Sequence, residues 1–154
     1  TNVLIENRPY LSIAGATLDS LKVGDPIAID VQVVNTGRTP AIDVMAGTKI
    51  QIGDLGFFPD GGHEAIDVPR ARIGSNQKTS LSLSRRPLTA DEMRGLQSGL
   101  MELLAHGELR FTGDSPPARP FDPFRCCLTY SPETLALVAC DNRGFINRDK
   151  AVFR

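Results

Sequence analysis

Between Ile27 and Val33 the apolar residues Ile27, Ile29, Val31 and Val33 fall at strict period two, opposite Ala28, Asp30 and Gln32. Only an extended strand sends alternate side chains to opposite faces, so this run specifies a strand with one buried and one wetter face. The alternation returns in Ile42, Val44, Ala46, Thr48, Ile50 and Ile52, and again in Leu81 and Leu83 set among Ser80, Ser82 and Ser84. A chain built on such runs folds by pairing strands into sheets and packing their apolar faces together.

Turn signals separate the runs. Arg8 to Ala14 alternates enough for a first strand, with Pro9 at its entry. Ala16 to Leu21 is a second short apolar piece before the turn Val23-Gly-Asp-Pro26. Asn35-Thr-Gly37 ends the period-two strand, where Gly37 is expected to supply a positive φ. Thr39-Pro40 leads into the strand from Ala41 to Ile52, and Gly53 to Ile73 reads as a long connection with a short strand around Ala65 to Val68. Then the period changes. Thr89 and Glu92 frame a capping box, and Met93, Leu96 and Leu100 at three- and four-residue spacing predict one helix from Ala90 to about Ser98, closed by Gly99. Strands over Met101 to Phe111, Phe124 to Tyr130 and Leu135 to Cys140 follow, the last two joined by Ser131-Pro-Glu-Thr134. Residues 141–154 are polar except for Phe145, Ile146, Val152 and Phe153, and read as a loosely docked C-terminal tail. The expectation is all-β with one short helix: a single domain over residues 1–154, an antiparallel immunoglobulin-like β-sandwich of about seven strands. A small barrel is the alternative closure.

With 17 Lys+Arg against 18 Asp+Glu the net charge is -1, which supplies no positive field for nucleic acid or for an anionic membrane surface. No apolar run approaches the ~20 residues of a membrane-spanning helix. The sequence starts at Thr1 rather than Met, so it is expected to be a piece of a longer protein whose preceding segment held a tag, a signal or a membrane anchor.

The densest group of candidate ligands is Asp54, Asp60, His63, Glu64 and Asp67 in the long connection. Carboxylates and an imidazole on one loop can bind a cation through oxygen ligands, but turn-forming Asp on a solvated loop has the same composition, and EF-hand spacing is missing. No metal and no cofactor is assigned. Gly113-Asp114-Ser115 has the look of an esterase nucleophile block, yet Pro116-Pro117 obstructs the helix such a serine needs. Arg85-Arg86 reads as a solvated pair at a strand end. Cys126, Cys127 and Cys140 allow two readings: a disulfide between Cys127 and Cys140 around the proposed hairpin, worth about 3 kcal/mol, or three buried thiols. Cys126 and Cys127, being adjacent, face opposite sides of their strand. His63 and His106 lie too far off for a zinc site.

Several motifs in order resemble a widespread group of small bacterial membrane proteins of unknown function. They are Arg8-Pro-Tyr10, then Asn35-Thr-Gly-Arg-Thr-Pro-Ala41, Pro87-Leu-Thr-Ala-Asp-Glu92, His106-Gly-Glu-Leu-Arg-Phe111, and Phe124-Arg-Cys-Cys127-Leu-Thr-Tyr-Ser-Pro132 continuing to Cys140. In that group one or two N-terminal transmembrane helices precede an extracytoplasmic β-sandwich with an Asn-x-Gly-x-Thr-Pro-Ala motif. The sequence departs from the pattern at Cys126 and at His106, where an aromatic residue is usual. The resemblance carries no catalytic residues. It implies a cell-membrane protein whose domain faces the periplasm or cell exterior, a setting that favours the Cys127–Cys140 disulfide.

The function expected is a non-catalytic binding or interaction domain, not an enzyme, with a protein or envelope polymer as partner and the membrane reached through a segment outside this sequence. Its candidate surface is the long loop carrying Asp54, Asp60, His63, Glu64 and Asp67. Asn35, Thr36, Gly37, Thr39 and Pro40 form either a binding edge or, preferably, a tight interstrand connection. Two other classes stay open. One is a ligand-sensing domain controlling oligomerisation of attached transmembrane helices, which calls for a deep arginine-lined pocket. The other is a metal-dependent hydrolase centred on His63 and the loop carboxylates.

Overall fold

The computed structural model describes residues 8–19, 21–57, 64–66, 72–113, 121 and 123–140. Among them run β1 (Leu11–Leu18), β2 (Pro26–Asn35), β3 (Ala41–Asp54), β4 (Glu64–Ile66), β5 (Arg72–Ile73) and β6 (Lys78–Pro87). Helix α1 (Ala90–Ser98) comes next, then β7 (Met101–Thr112), β8 (Phe124–Ser131) and β9 (Ala136–Ala139). One sheet has the order β1-β2-β6; the other has the order β4-β3-β7-β8-β9, with β5 also paired to β3. Every strand pairing is antiparallel.

The period-two runs place the core. Ile27, Ile29, Val31 and Val33 of β2 and Leu81 and Leu83 of β6 join Val44, Ala46 and Ile50 of β3 and Leu103, Ala105 and Leu109 of β7 in one buried cluster. The cross-strand partners Ile29 with Leu83 and Val31 with Leu81 follow from the same register, so one slip would turn both strands inside out. The fold is all-β: among the described residues, two antiparallel sheets surround a shared core with one helix, as the alternation predicts.

Three details differ from the expectation. Arg8–Ala14 and Ala16–Leu21 are not two pieces: Leu11–Leu18 is one strand whose register shifts between Ile13 and Gly15, and that bulge interrupts the alternation. The described residues hold nine strands rather than about seven; the short strand expected around Ala65 to Val68 is present as β4, at Glu64–Ile66, and the two-residue β5 is an addition. Gly37 is not among the glycines of positive φ. It is needed for close approach instead, since a Cβ there would overlap the Arg8 carbonyl oxygen and lie 2.6 Å from the Tyr10 nitrogen.

Strand β7 is buried on both faces from Glu102 to Gly107. Leu103 and Ala105 face the shared core, while Leu104 and His106 are buried on the opposite face, His106 with its Nε2 2.7 Å from Gln51 Oε1. A strand between two neighbours and covered on both faces reads as a continuous apolar run, which is how Met101 to Phe111 looks in sequence.

Candidate functional site

At one end of the molecule, where β1 begins and β2 ends, Asn35 is fully buried. Its Oδ1 accepts from Tyr10 N at 3.1 Å and Gly37 N at 2.9 Å, and its Nδ2 donates to Thr39 O at 2.8 Å and Ile73 O at 3.0 Å. One amide thus satisfies four backbone groups from three segments, the full hydrogen-bonding capacity of the side chain. Thr36 N donates to Tyr10 O, and Ser75 Oγ to Gly37 O at 2.6 Å. The Arg8 guanidinium lies over both the Tyr10 and Phe121 rings, 4.7 and 4.6 Å from their centroids. The Asn35–Pro40 segment is built as a closed joint.

The opposite end of β1 is built differently. Leu18, Asp19 and Leu21 there meet Met93, Leu96 and Gln97 of α1 and Tyr130, Pro132 and Leu135 at the β8–β9 turn, around a groove of about 480 Å³. That volume lies in the range of small-ligand and side-chain pockets, and the walls are mostly apolar. Leu135 is 73% exposed and has φ 56°. An L residue in the left-handed region costs on the order of 1 kcal/mol, so this turn position would favour Gly or Asn. The sequence places an exposed leucine there. Val23, Leu55 and Leu100 are likewise exposed on the loops of this end.

Helix α1 forms one wall because its start is tightly held. Thr89 accepts from Glu92 N while Glu92 Oε1 accepts from Thr89 N, the reciprocal capping box predicted from sequence. Gly99, at φ 80°, closes the helix. Leu96 and Leu88 are buried in the core, and Gly95 lets the helix approach Met101, where a Cβ would meet the Met101 side chain. Arg85-Arg86 is not a simple solvated pair. Arg85 Nη2 lies 2.6 Å and Arg86 Nη2 3.1 Å from Glu92 Oε2, and the Arg85 side chain is itself largely buried. Burial pushes the Glu92 carboxyl up, but hydrogen bonds from Arg85 and the Thr89 backbone, with the Arg85 and Arg86 charges, outweigh it and hold it at about 2. Glu108 is held low in the same way, burial opposing it and Arg110 and Arg125 prevailing.

Of the five loop residues singled out in sequence, Asp60, His63 and Asp67 lie outside the described residues, as do Asp114 and Ser115. Asp54 is exposed at the end of β3, opposite Met101, whereas Glu64 lies opposite Thr48. The register sets these two about 20 Å apart along the sheet. Among the described residues no cluster of three or more His, Cys, Asp or Glu side chains could hold a metal ion. Cys127 and Cys140 form a disulfide with Cα atoms 5.4 Å apart, tying β8 to the end of β9. Cys126 is a free, buried thiol pushed up to about 12 by burial, a hydrogen bond at Gly107 offsetting only part. None of the helices among the described residues is long and apolar enough to cross a membrane.

Sequence reasoning did not identify the groove. Met93 and Leu96 were visible as the apolar stripe of the helix, but a stripe does not say which of its residues the core leaves uncovered. The available signal was Leu135, an apolar residue at the close of a polar turn.

No known family profile matches the sequence, and no curated protein matches it. Among solved structures, the crystal structure of a protein from Archaeoglobus fulgidus is 12% identical, with a TM-score of 0.32, over 78% of this chain and 98% of that one. A likeness so slight carries no argument about fold or function.

Proposed function

We propose that this protein is a non-catalytic binding domain that works outside the cytoplasm, joined to a membrane through a segment beyond this sequence, and that it engages a protein or envelope polymer through the groove at α1. The observation that carries this reading is the groove itself: three separate elements leave apolar walls unfilled and rim them with an exposed leucine at a strained turn position. Strain and solvent-exposed apolar surface both cost stability, and such costs concentrate where a surface is used. The Cys127–Cys140 disulfide supports an oxidising compartment. Glu92 and Glu108, each held by two arginines, are committed to structural ion pairs. Among the described residues the groove lining contains no arginine, the feature that the ligand-sensing alternative calls for.

The test is titration with Nile red, a neutral apolar fluorophore. Saturable binding at one site is expected, weakened about tenfold or more in Leu135→Asp and unchanged in Met45→Ser, whose exposed side chain lies on β3 away from the groove. No saturable binding, or equal binding by Leu135→Asp, would remove the reading.

A further inference from the structure

We infer that the groove takes an extended peptide segment of a partner protein that carries an apolar side chain flanked by lysine or arginine; the inference rests on the groove being the binding surface. The walls set the apolar part: Leu18, Leu21, Met93, Leu96, Tyr130, Pro132 and Leu135 leave about 480 Å³ for one or two large side chains. Met93 adds a wall that can adapt its shape to the side chain received.

The rim sets the charge. Asp19 lines the groove, and Glu133 is exposed directly after Pro132. Two charged neighbours of lining residues are already committed, Glu92 to Arg85 and Arg86, and Arg94 to Asp91. Among the described residues this leaves Asp19 and Glu133 against Lys22, with the acids in excess. The groove also borders the C-terminal turn of α1, which contains Gln97 and no basic residue. The negative end of the helix dipole therefore adds to the acidic rim rather than being compensated from within the helix. An incoming cation is complementary to all three features.

The strand edges favour a peptide over a small amphiphile. β1 and β9, which lead to opposite sides of the groove, are edge strands, each paired on one side only among the described residues. β9 is Ala136-Leu-Val-Ala139, with no proline and no charge, and its Ala136, Val138 and Ala139 are exposed while Leu137 is half-buried. Sheet edges are normally blunted by lysine, proline or a bulge; β1 carries a bulge between Ile13 and Gly15, whereas β9 has none of these devices and offers backbone donors and acceptors to an added strand.

The experiment measures fluorescence anisotropy of three labelled peptides sharing a Leu-Phe-Leu centre and flanked by Lys, Ser or Glu, with competition against Nile red. The Lys-flanked peptide is expected to bind about tenfold or more tighter than the Glu-flanked one and to displace Nile red. Asp19→Asn should shrink that preference several-fold, and raising the salt should shrink it further. Thermal midpoints of the variants confirm that they fold. Binding without a charge order, or an order untouched by Asp19→Asn, overturns the assignment of a basic segment while the Nile red site stands. Displacement by dodecylammonium but by no peptide overturns the peptide and makes the occupant a small apolar cation. Loss of the Nile red site itself would instead remove the reading on which this one rests.

Discussion

The two ends of strand β1, about 23 Å apart along the strand, solve the same problem in opposite ways. At the Leu11 end, loops must turn while their backbone groups leave water, and one buried amide, Asn35, completes every bond it can make. At the Leu18 end, the helix and the β8–β9 turn stop short of closing, leaving apolar walls, exposed leucines and a left-handed Leu135. The closed end shows that this chain can seal a loop cluster when sealing is what the site requires. The open end is therefore informative: its cost is tolerated where a closed solution was available. The Asn-x-Gly motif, the most conspicuous pattern in the sequence, belongs to the closed end and acts in folding.

Breaking the closed end should have the largest effect. Asn35→Ala removes the four hydrogen bonds that the buried amide makes to Tyr10 N, Gly37 N, Thr39 O and Ile73 O, and is expected to cost about 4 kcal/mol in urea unfolding. A loss below about 1 kcal/mol would mean that water replaces the amide and that the joint is not sealed. Next comes the disulfide that braces the β8–β9 side of the groove. Replacing Cys127 and Cys140 together by Ala should cost about 3 kcal/mol. Thiol alkylation should label no cysteine in the native oxidised protein and only Cys126 after unfolding, because burial holds that thiol unreactive.

How much of this was legible in the sequence depends on what kind of information each feature needs. Strands β2, β3 and β6 and helix α1 with both its caps were readable, because period two, period 3.6 and a capping box are local signals. The joint at Asn35 was readable as a turn, but its reason was not. Gly37 looks like a residue chosen for positive φ, and only the approach of Arg8 and Tyr10 across the chain shows that it is chosen for lack of a Cβ. Arg85 and Arg86 look solvated until the helix brings Glu92 back over them. The groove was the least legible feature, since it is defined by what three distant segments fail to fill.

Acid should loosen the wall of the groove before it affects the closed end. Glu92 is held at about 2 against an ordinary 4.5, so its contribution is full above about pH 5 and is lost as pH falls toward 2. On the order of 2 kcal/mol of stability is expected to disappear over that window in the wild type, with a visibly flatter profile in Glu92→Gln. Identical acid profiles for the two proteins would show that α1 is not anchored this way. The smallest expected effect is the most specific. Leu135→Gly relieves the left-handed backbone and should leave stability unchanged or raise it by up to about 1 kcal/mol, while weakening Nile red. A clear loss of stability would make Leu135 a packing residue and remove the contrast between the two ends.

The most direct test of that contrast is an amide chemical-shift map of the uniformly ¹⁵N-labelled chain titrated with Nile red. Shifts are expected at Leu18, Asp19, Leu21, Met93, Leu96, Gln97 and Leu135, with Tyr10, Asn35 and Gly37 unmoved. Shifts centred on the Asn35 joint, or spread evenly over both ends, would contradict it.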